Sequence, residues 1–138
     1  MARHPSPRTS IGLPVYNGER YLAAAIESLL AQTYSDFELI ISDNASTDGT
    51  EEICQSFVKL DSRIQYRRSE VNRGAAWNFN RAVQLSRGYY FKWAAHDDLQ
   101  HPWFLQRCVS VLEQDPSVVL SFSRTQFIDD DGMPIREY

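Results

Sequence analysis

The sequence predicts a doubly wound α/β domain, in which a mostly parallel sheet carries helices on both faces. Short apolar segments that suit buried strands alternate with segments whose apolar residues recur at helical spacing. This alternation gives a βαβαβαβαβ order, and a chain of 138 residues is long enough for one such domain. Residues 1–9 are rich in Pro, Arg and Ser and are predicted to be a disordered lead-in, so the predicted domain is residues 10–138.

The first half of the domain is predicted to contain three strands and two helices. The strands are residues 11–15, 37–42 and 64–67. Asn17 or Gly18 is expected to open the first helix, and residues 46–52, rich in capping and acidic side chains, to open the second. The apolar residues that mark these helices are Leu22, Ile26, Leu29 and Leu30, and then Ile53, Cys54, Phe57 and Val58.

The second half continues the same alternation. Strands are predicted at residues 89–94 and 118–122, and two strand edges around the Asp131-Gly132 turn at residues 127–135. Gly88 is expected to close the third helix, and Pro102 to lie near the first turn of the fourth. The marker residues of these helices are Trp77, Phe79, Ala82 and Val83, and then Phe104, Leu105, Cys108, Val109 and Leu112.

The composition excludes several classes of protein. Hydrophobic residues make up 43% of the chain and charged residues 23%, which is typical of a globular domain. A net charge of −4 argues against nucleic acid or an anionic membrane as the main partner. No apolar run approaches the roughly 20 residues of a membrane helix. Cys54 and Cys108 fit as small core residues, which favours a reducing, cytoplasmic setting.

Polar and aromatic side chains follow the predicted strand ends. They are Tyr16-Asn17, Asp43-Asn44, residues 69–73 and His96-Asp97-Asp98. Because ligands of such sheets bind beyond the carboxyl ends of the strands, these side chains are expected to form one rim. Adjacent acids such as Asp97 and Asp98 are best tolerated when a cation lies between them and a phosphate. The alternative for this pair is a solvated turn with a capping Asp.

Several motifs are missing from the sequence. It has neither the G-x-G-x-x-G fingerprint after the first strand nor a G-x-x-x-x-G-K-[ST] loop, so a phosphate would need another source of charge balance. A divalent cation held by Asp98 is the natural candidate, since Mg²⁺ and Mn²⁺ prefer one or two carboxylates together with phosphate oxygens. There is also no G-x-S-x-G elbow, which argues against acyl transfer.

Several segments that are present in the sequence resemble the family 2 glycosyltransferases of the GT-A fold. The resemblance is carried by residues 12–22 (Gly-Leu-Pro-Val-Tyr-Asn-Gly-Glu-Arg-Tyr-Leu), by residues 28–50 and by Asn72-Arg73-Gly74. His96-Asp97-Asp98 stands where the family has its DXD motif, and the match covers about residues 10–131. The resemblance implies a nucleotide-diphosphate-sugar donor, commonly UDP- or dTDP-linked, and transfer with inversion.

The resemblance also assigns the base-binding residues. Pro14 and Tyr16 would line the base, with Tyr16 stacking on uracil or thymine, and Asp43 would accept the pyrimidine N3–H beside Asn44. The alternatives are that Tyr16 is a packing aromatic at the strand–helix corner and that Asp43 bonds loop N–H groups.

The remaining implied contacts lie towards the phosphates. Arg73 would lie near the base or the phosphates, although a solvated loop arginine is the alternative. Asp97 would face ribose or sugar hydroxyls, and Asp98 would ligate the Mg²⁺ or Mn²⁺ that bridges the two phosphates. His96 departs from the acidic residue often found there, and a structural role is expected for it.

Family members usually run well past this length, and their acceptor site and general base follow the region where this chain stops. The general base is therefore expected beyond Tyr138, because the Asp-Gly turn explains Asp129, Asp130 and Asp131 better. A truncated domain of this kind would leave unpaired edges and apolar surface that favour self-association. The acceptor, whether glycan, lipid or another hydroxyl compound, is not specified, and the whole protein could be cytoplasmic or membrane-peripheral.

The sequence is compatible with three functions. The leading one is the donor-binding part of a glycosyltransferase, and the second is a non-catalytic nucleotide-sugar binding module that works through a partner. A Rossmann-like oxidoreductase is a weaker third, since the glycine fingerprint is absent.

Overall fold

The computed structural model describes residues 6–137 and is built around a four-stranded parallel sheet. Its strands are β1 (Thr9–Val15), β2 (Phe37–Asp43), β3 (Ile64–Arg68) and β4 (Tyr90–Trp93). The helices are α1 (Leu22–Leu30), α2 (Thr50–Leu60), α3 (Ala75–Gln84) and α4 (Phe104–Gln114). A hairpin of β5 (Gln126–Ile128) and β6 (Pro134–Glu137) follows.

The strand order β3-β2-β1-β4 places the first strand inside the sheet. β1 pairs in parallel with β2 on one side and with β4 on the other. The chain therefore winds outward in one direction through β3 and then crosses to the opposite side of β1. This reversal is the switch point at which doubly wound sheets bind ligands.

The two faces of the sheet carry different helices. Ile11, Leu13 and Val15 of β1 belong to the main core cluster, together with side chains from α1, α2 and α4. The alternate residues of β1 lie on the other face of the sheet, towards α3, and Gly12 shows how closely that helix approaches. A Cβ added at Gly12 would lie 2.7 Å from Phe91 Cζ and 2.9 Å from Ala82 Cβ. The predicted doubly wound sheet with helices on both faces is confirmed.

Most strand boundaries agree with the prediction within one or two residues, and the differences have local causes. α1 begins at Leu22 and not at Asn17 or Gly18, because residues 19–21 form a turn in which Gly18 O accepts the Tyr21 N–H at 3.1 Å. β1 begins at Thr9, which the sequence placed in the lead-in; residues 1–5 lie outside the described part of the chain. α3 ends at Gln84, and Gly88 does not close it. Gly88 instead lies against β1, where an added Cβ would be 2.5 Å from the Ser10 backbone nitrogen.

The predicted strand at residues 118–122 is wrong. The structure has no strand there, and Leu120 and Phe122 are 73% and 81% exposed. The apolar, β-branched pattern is typical of a strand, but a strand also needs a neighbour to accept its hydrogen bonds. Within residues 6–137 no strand pairs with this segment, and β4 forms the edge of the sheet.

The predicted Asp-Gly turn at the end of the chain is confirmed. It joins β5 to β6, and Gly132 has a φ of 80°, which favours glycine. Asp130 ties this hairpin to the start of α1, since its carboxylate accepts hydrogen bonds from the Tyr21 hydroxyl (3.0 Å) and from Arg20 Nη2 (2.8 Å). Among the described residues, no helix has the length and apolar character needed to cross a bilayer.

Candidate functional site

A cleft of about 450 Å³ opens at the carboxyl ends of β1 and β4, at the switch point. Of the predicted site residues, it brings together Pro14, Tyr16, Asn44 and Asp97. Tyr16 is 46% exposed, so its ring is available to a ligand. The other lining residues are Val15, Asn72, Gly74, Ala75, Asn78, Phe79, Ala95 and His96.

Hydrogen bonds between two loops hold the β1 side of the cleft. The Asn17 backbone has a φ of 52°, and its N–H donates to Ser46 Oγ at 2.9 Å. Asn17 Oδ1 accepts the Thr47 N–H at 2.8 Å, and Gly18 N–H donates to Thr50 Oγ1 at 2.9 Å. Because Asn17 and Gly18 are hydrogen-bonded to the β2–α2 loop and to the first residue of α2, the backbone that follows Tyr16 is held in place.

Asn78 ties the strand ends together from below the cleft. This α3 side chain is buried, and its Nδ2 donates to Ser42 O at 2.7 Å and to Val15 O at 3.3 Å. Its Oδ1 accepts from Ser42 Oγ at 2.7 Å. Asn78 therefore sets the spacing of the carboxyl ends of β1 and β2.

Asn44 braces the opposite wall. It is 3% exposed, and its Oδ1 accepts the Arg73 N–H at 2.9 Å. Its Nδ2 donates to Asn72 Oδ1 at 2.9 Å and to Gly74 O at 3.1 Å. The side chain amide thus shapes the loop before α3, although little of its own surface faces the cleft.

Asp43 lies behind the cleft and does not line it. Its side chain is fully buried, and Oδ1 accepts from the Ser46 N–H (2.9 Å) and Oγ (2.6 Å). Oδ2 accepts from the Tyr66 hydroxyl at 2.6 Å and lies 3.5 Å from Arg68 Nε. Burial and the bond to Asp43 raise the pKa of Tyr66, which keeps that hydroxyl a donor.

Arg73 is at the edge of the site. Its neighbours Asn72 and Gly74 line the cleft, but its own guanidinium carbon lies 5.0 Å from the centre of the Trp77 ring. A cation over an indole face is a favourable contact, so the structure orients Arg73 along α3.

Asp97 and Asp98 lie on an exposed loop after β4, which we call the acid loop (residues 94–100). Within residues 6–137 neither carboxylate has a hydrogen bond or an ion pair, and Asp97 faces the cleft. His96 lies close to Gly18, since a Cβ added at Gly18 would be only 2.9 Å from His96 Cδ2. Asp97 is therefore open to a ligand in the cleft, whereas Asp98 is exposed beside it in the chain but does not line the cleft. His96 lies against the β1–α1 loop.

The acid loop is attached to the end of α1 and to β4. Ser28 Oγ accepts the Gln100 N–H at 3.1 Å. Gln32 is 6% exposed; its Nε2 donates to His101 O at 2.9 Å, and its Oε1 accepts the Leu105 N–H at 2.9 Å. From β4, Lys92 Nζ donates to Gln100 Oε1 at 3.0 Å.

The acid loop suits a divalent cation in part. Carboxylate oxygens are the ligands that Mg²⁺ and Mn²⁺ prefer, and Asp97 and Asp98 offer them next to the cleft. The described residues contain no group of three or more side chains able to hold a metal ion. This donor set fits a cation that takes its remaining ligands from a diphosphate and water.

A second cleft of about 370 Å³ adjoins the first and shares Asp97 with it. It lies between the start of α1, the acid loop and the β5–β6 turn. Its lining residues are Tyr21, Ala24, Asp97, Leu99, Ile128, Asp129, Asp130, Asp131 and Gly132.

Lys92 should make the stability depend on pH. Burial lowers its pKa to about 8, although Cys108 and Asp98 nearby oppose part of that shift. An unfolded lysine titrates near about 10.4, so between these pH values the unfolded chain binds more protons than the folded one. The free energy of unfolding should therefore rise with pH across this window relative to Lys92→Met. Urea unfolding of both proteins would measure this, and parallel pH curves would contradict it.

The comparisons with known proteins agree with this geometry. The family model for glycosyl transferase family 2 matches residues 10–136, and the chain belongs to that family. An uncharacterized glycosyltransferase of Rickettsia typhi is 37% identical over 125 residues, which are 90% of this chain and 38% of that protein. The chain thus spans well under half the length of this relative.

Solved structures share the fold. S. aureus TarS 1–349 in complex with UDP-GlcNAc matches with a TM-score of 0.73 at 24% identity, covering 78% of this chain and 31% of that one. The mannosyltransferase PcManGT from Pyrobaculum calidifontis, in complex with GDP-Man and Mn²⁺, matches with a TM-score of 0.74 at 24% identity. It covers 83% of this chain and 34% of the mannosyltransferase.

Sequence reasoning missed several residues that build the site. Asn78, Ser46 and Tyr66 hold the strand ends and Asp43, and Gln32 holds the segment after the acid loop. A signal existed for Asn78, since it is a polar residue on the sheet-facing side of an otherwise apolar helix pattern. Tyr66 looked like an ordinary strand residue, and only the strand register places its hydroxyl beside Asp43.

Proposed function

We propose that this chain is the donor-binding part of a metal-dependent, inverting glycosyltransferase that uses a UDP- or dTDP-sugar. The observation that carries the proposal is one cleft at the switch point that is lined by an open aromatic ring, Tyr16, and by the carboxylate of Asp97, with the exposed Asp98 next to it in the chain. An aromatic platform suits a base, and carboxylates suit a cation that accompanies a diphosphate.

The residue roles that we propose are those that the family resemblance implies. Tyr16 stacks on the base with Pro14 alongside, Asp97 accepts from ribose or sugar hydroxyls, and Asp98 ligates the cation. Asn44 acts by shaping the loop of Arg73, whose guanidinium would approach the base or phosphates by leaving Trp77. The N3–H contact of Asp43 stays a prediction, and it requires the segment that covers Asp43 to move, because this carboxylate is fully buried behind Ser46 and Tyr66.

A bound Mn²⁺ or Mg²⁺ would supply a Lewis acid for the charge that develops on the departing diphosphate. The Mn²⁺ complex of the related-fold mannosyltransferase supports a metal in this role. The UDP-GlcNAc complex of TarS supports a nucleotide-sugar as the ligand of the cleft.

This chain spans 38% of the Rickettsia typhi relative, and we propose that the general base lies beyond Tyr138, with a glycan, lipid or other hydroxyl compound as the acceptor. Asp129 is poorly placed for that base, because its Oδ1 accepts the N–H groups of Asp131 and Met133 within the turn. Since general-base assistance is typically worth about 10²–10⁴-fold in rate, we propose that this chain binds donor without transferring sugar by itself. A cytoplasmic location stays a prediction.

Nucleotide binding tests the proposal. In calorimetry with Mn²⁺, UDP or dTDP should bind more tightly than CDP or GDP, and Tyr16→Ala should weaken every pyrimidine nucleotide together. The expected loss is about 1–3 kcal/mol, the range for base–aromatic stacking. Tyr89→Ala is the matched control, because Tyr89 is also exposed (75%) but lies at the other end of β4. Unchanged affinity in Tyr16→Ala would remove the stacking role.

A non-catalytic nucleotide-sugar binding module is the second candidate. It uses the same cleft, so nucleotide binding does not separate the two functions. Transfer by the full-length protein in the presence of donor, Mn²⁺ and a hydroxyl acceptor would favour the enzyme, and binding without transfer or donor hydrolysis would favour the module.

A further inference from the structure

Lys92 is a charged side chain on the buried face of the sheet. It pairs in register with Ile11, whose side chain is fully buried in the core cluster. Because residues in register on neighbouring strands share a face, Lys92 points towards the core and α4. Its Nζ lies 4.6 Å from the centre of the Phe104 ring, which agrees with that direction.

The hydrogen bond of Lys92 closes the acid loop. Lys92 precedes Asp97 and Asp98, whereas Gln100, its partner at 3.0 Å, follows them. Among the described residues, Gln100 Oε1 is the hydrogen-bond acceptor of Lys92 Nζ. The Gln100 backbone is held separately by Ser28 Oγ at 3.1 Å. The chain therefore leaves β4, presents both acids and returns to the same lysine.

A purely structural role explains Lys92 poorly. Its depressed pKa reflects a cost of burying the ammonium group, and no carboxylate pairs with it among the described residues. Burying an ammonium group that has no carboxylate partner is costly, and an apolar residue of similar volume avoids that cost. A methionine would therefore fill this position without a buried charge, but it could not bond Gln100.

We propose that Lys92 is a positioning residue that clasps the acid loop through Gln100 and so holds Asp97 and Asp98 in place for a divalent cation and its diphosphate. The inference rests on the proposed function of the cleft. Lys92 itself touches neither nucleotide nor cation in this account. Its hydrogen bond acts through the backbone of residues 94–100, and Gln100→Leu separates this effect from that of the Lys92 charge on nearby Asp98.

Lys92→Met, Gln100→Leu and the double variant test the clasp in this chain. The first measurement is the gain in UDP affinity from Mn²⁺, taken as the ratio of Kd in EDTA to Kd in Mn²⁺. The second is amide hydrogen exchange of residues 95–99 without metal or nucleotide. Val109→Ala, at a buried α4 position outside the acid loop in sequence, is the control for lost stability.

Each single variant should reduce the Mn²⁺ gain by about 10–100-fold, the usual loss when a partner behind a metal ligand is removed. Exchange at residues 95–99 should accelerate, affinity in EDTA should change less than about twofold, and the double variant should equal the singles, as expected for one shared interaction. Lys92→Met should unfold no earlier than the wild type. Val109→Ala should lower stability and leave the gain unchanged.

The clasp would be overturned if Lys92→Met kept the wild-type Mn²⁺ gain in UDP affinity and the wild-type hydrogen-exchange rates. Additive losses of the Mn²⁺ gain in the double variant would also overturn it. If Lys92→Met does not fold, Gln100→Leu decides between the same outcomes. If the wild type shows no Mn²⁺ gain, the proposed metal role fails and the link from clasp to cation fails with it. Hydrogen exchange then still shows whether Lys92 holds the loop, so the two failures are distinguishable.

Discussion

Asp98→Asn should abolish the gain in UDP affinity that Mn²⁺ provides. Asp98 is exposed, makes no hydrogen bond or ion pair among the described residues and directly follows Asp97, which lines the cleft. A carboxamide is a poor ligand for Mn²⁺ compared with a carboxylate. Loss of a residue that supports a metal ligand typically lowers metal affinity by about 10–100-fold, so loss of Asp98 as a direct ligand should lower it at least as much.

Calorimetry in Mn²⁺ and in EDTA measures this change, and EDTA should reduce the wild type to the affinity of the variant. Asp131→Asn is the control, since Asp131 is an exposed acid in the β5–β6 turn. Stability should change by less than about 0.5 kcal/mol, as expected at an exposed site. A full Mn²⁺ gain in Asp98→Asn would remove Asp98 from the proposed metal site.

Asn78→Leu should produce the largest loss of stability among these variants. It removes the donor to Val15 O and Ser42 O and the acceptor for Ser42 Oγ, all of which are buried. Leaving a buried polar group unsatisfied costs about 1–3 kcal/mol. We expect a total of about 2–5 kcal/mol for the lost partners, and the total stays this low because Val15 O keeps its hydrogen bond from the Asn44 N–H.

Denaturant unfolding would measure the loss, with Asn80→Leu on the exposed side of α3 as the matched control. Asn78→Asp should be at least as harmful, because a carboxylate would face the carbonyl oxygens of Val15 and Ser42. Nucleotide affinity should fall with stability, since Asn78 lines the cleft and spaces its strands. A free energy of unfolding within about 1 kcal/mol of the wild type would contradict this role for Asn78.

Hydrophobic periodicity was sufficient to predict the layered fold and the place of the site. Apolar residues at strand and helix spacing reflect which faces must be buried, and that requirement is local in sequence. Residues just past the strand ends, such as Tyr16 and Asp97, meet at the switch point because parallel strands have their carboxyl ends at one edge. The same periodicity misled at residues 118–122, since a strand also needs a partner that local pattern does not supply.

Only the tertiary structure decided what each polar side chain does. Asp43 and Asp97 both follow strands, yet Asp43 is buried with Ser46 and Tyr66 while Asp97 is exposed to two clefts. The difference arises because β2 is an interior strand whose end is covered by the loop before α2, whereas β4 is the sheet edge within the described residues. Likewise, Lys92 gained its bond to Gln100 from the path of a loop that no local pattern encodes. The sequence thus determined the fold and the edge of the sheet at which the cleft opens, and long-range packing determined which carboxylates remain exposed there.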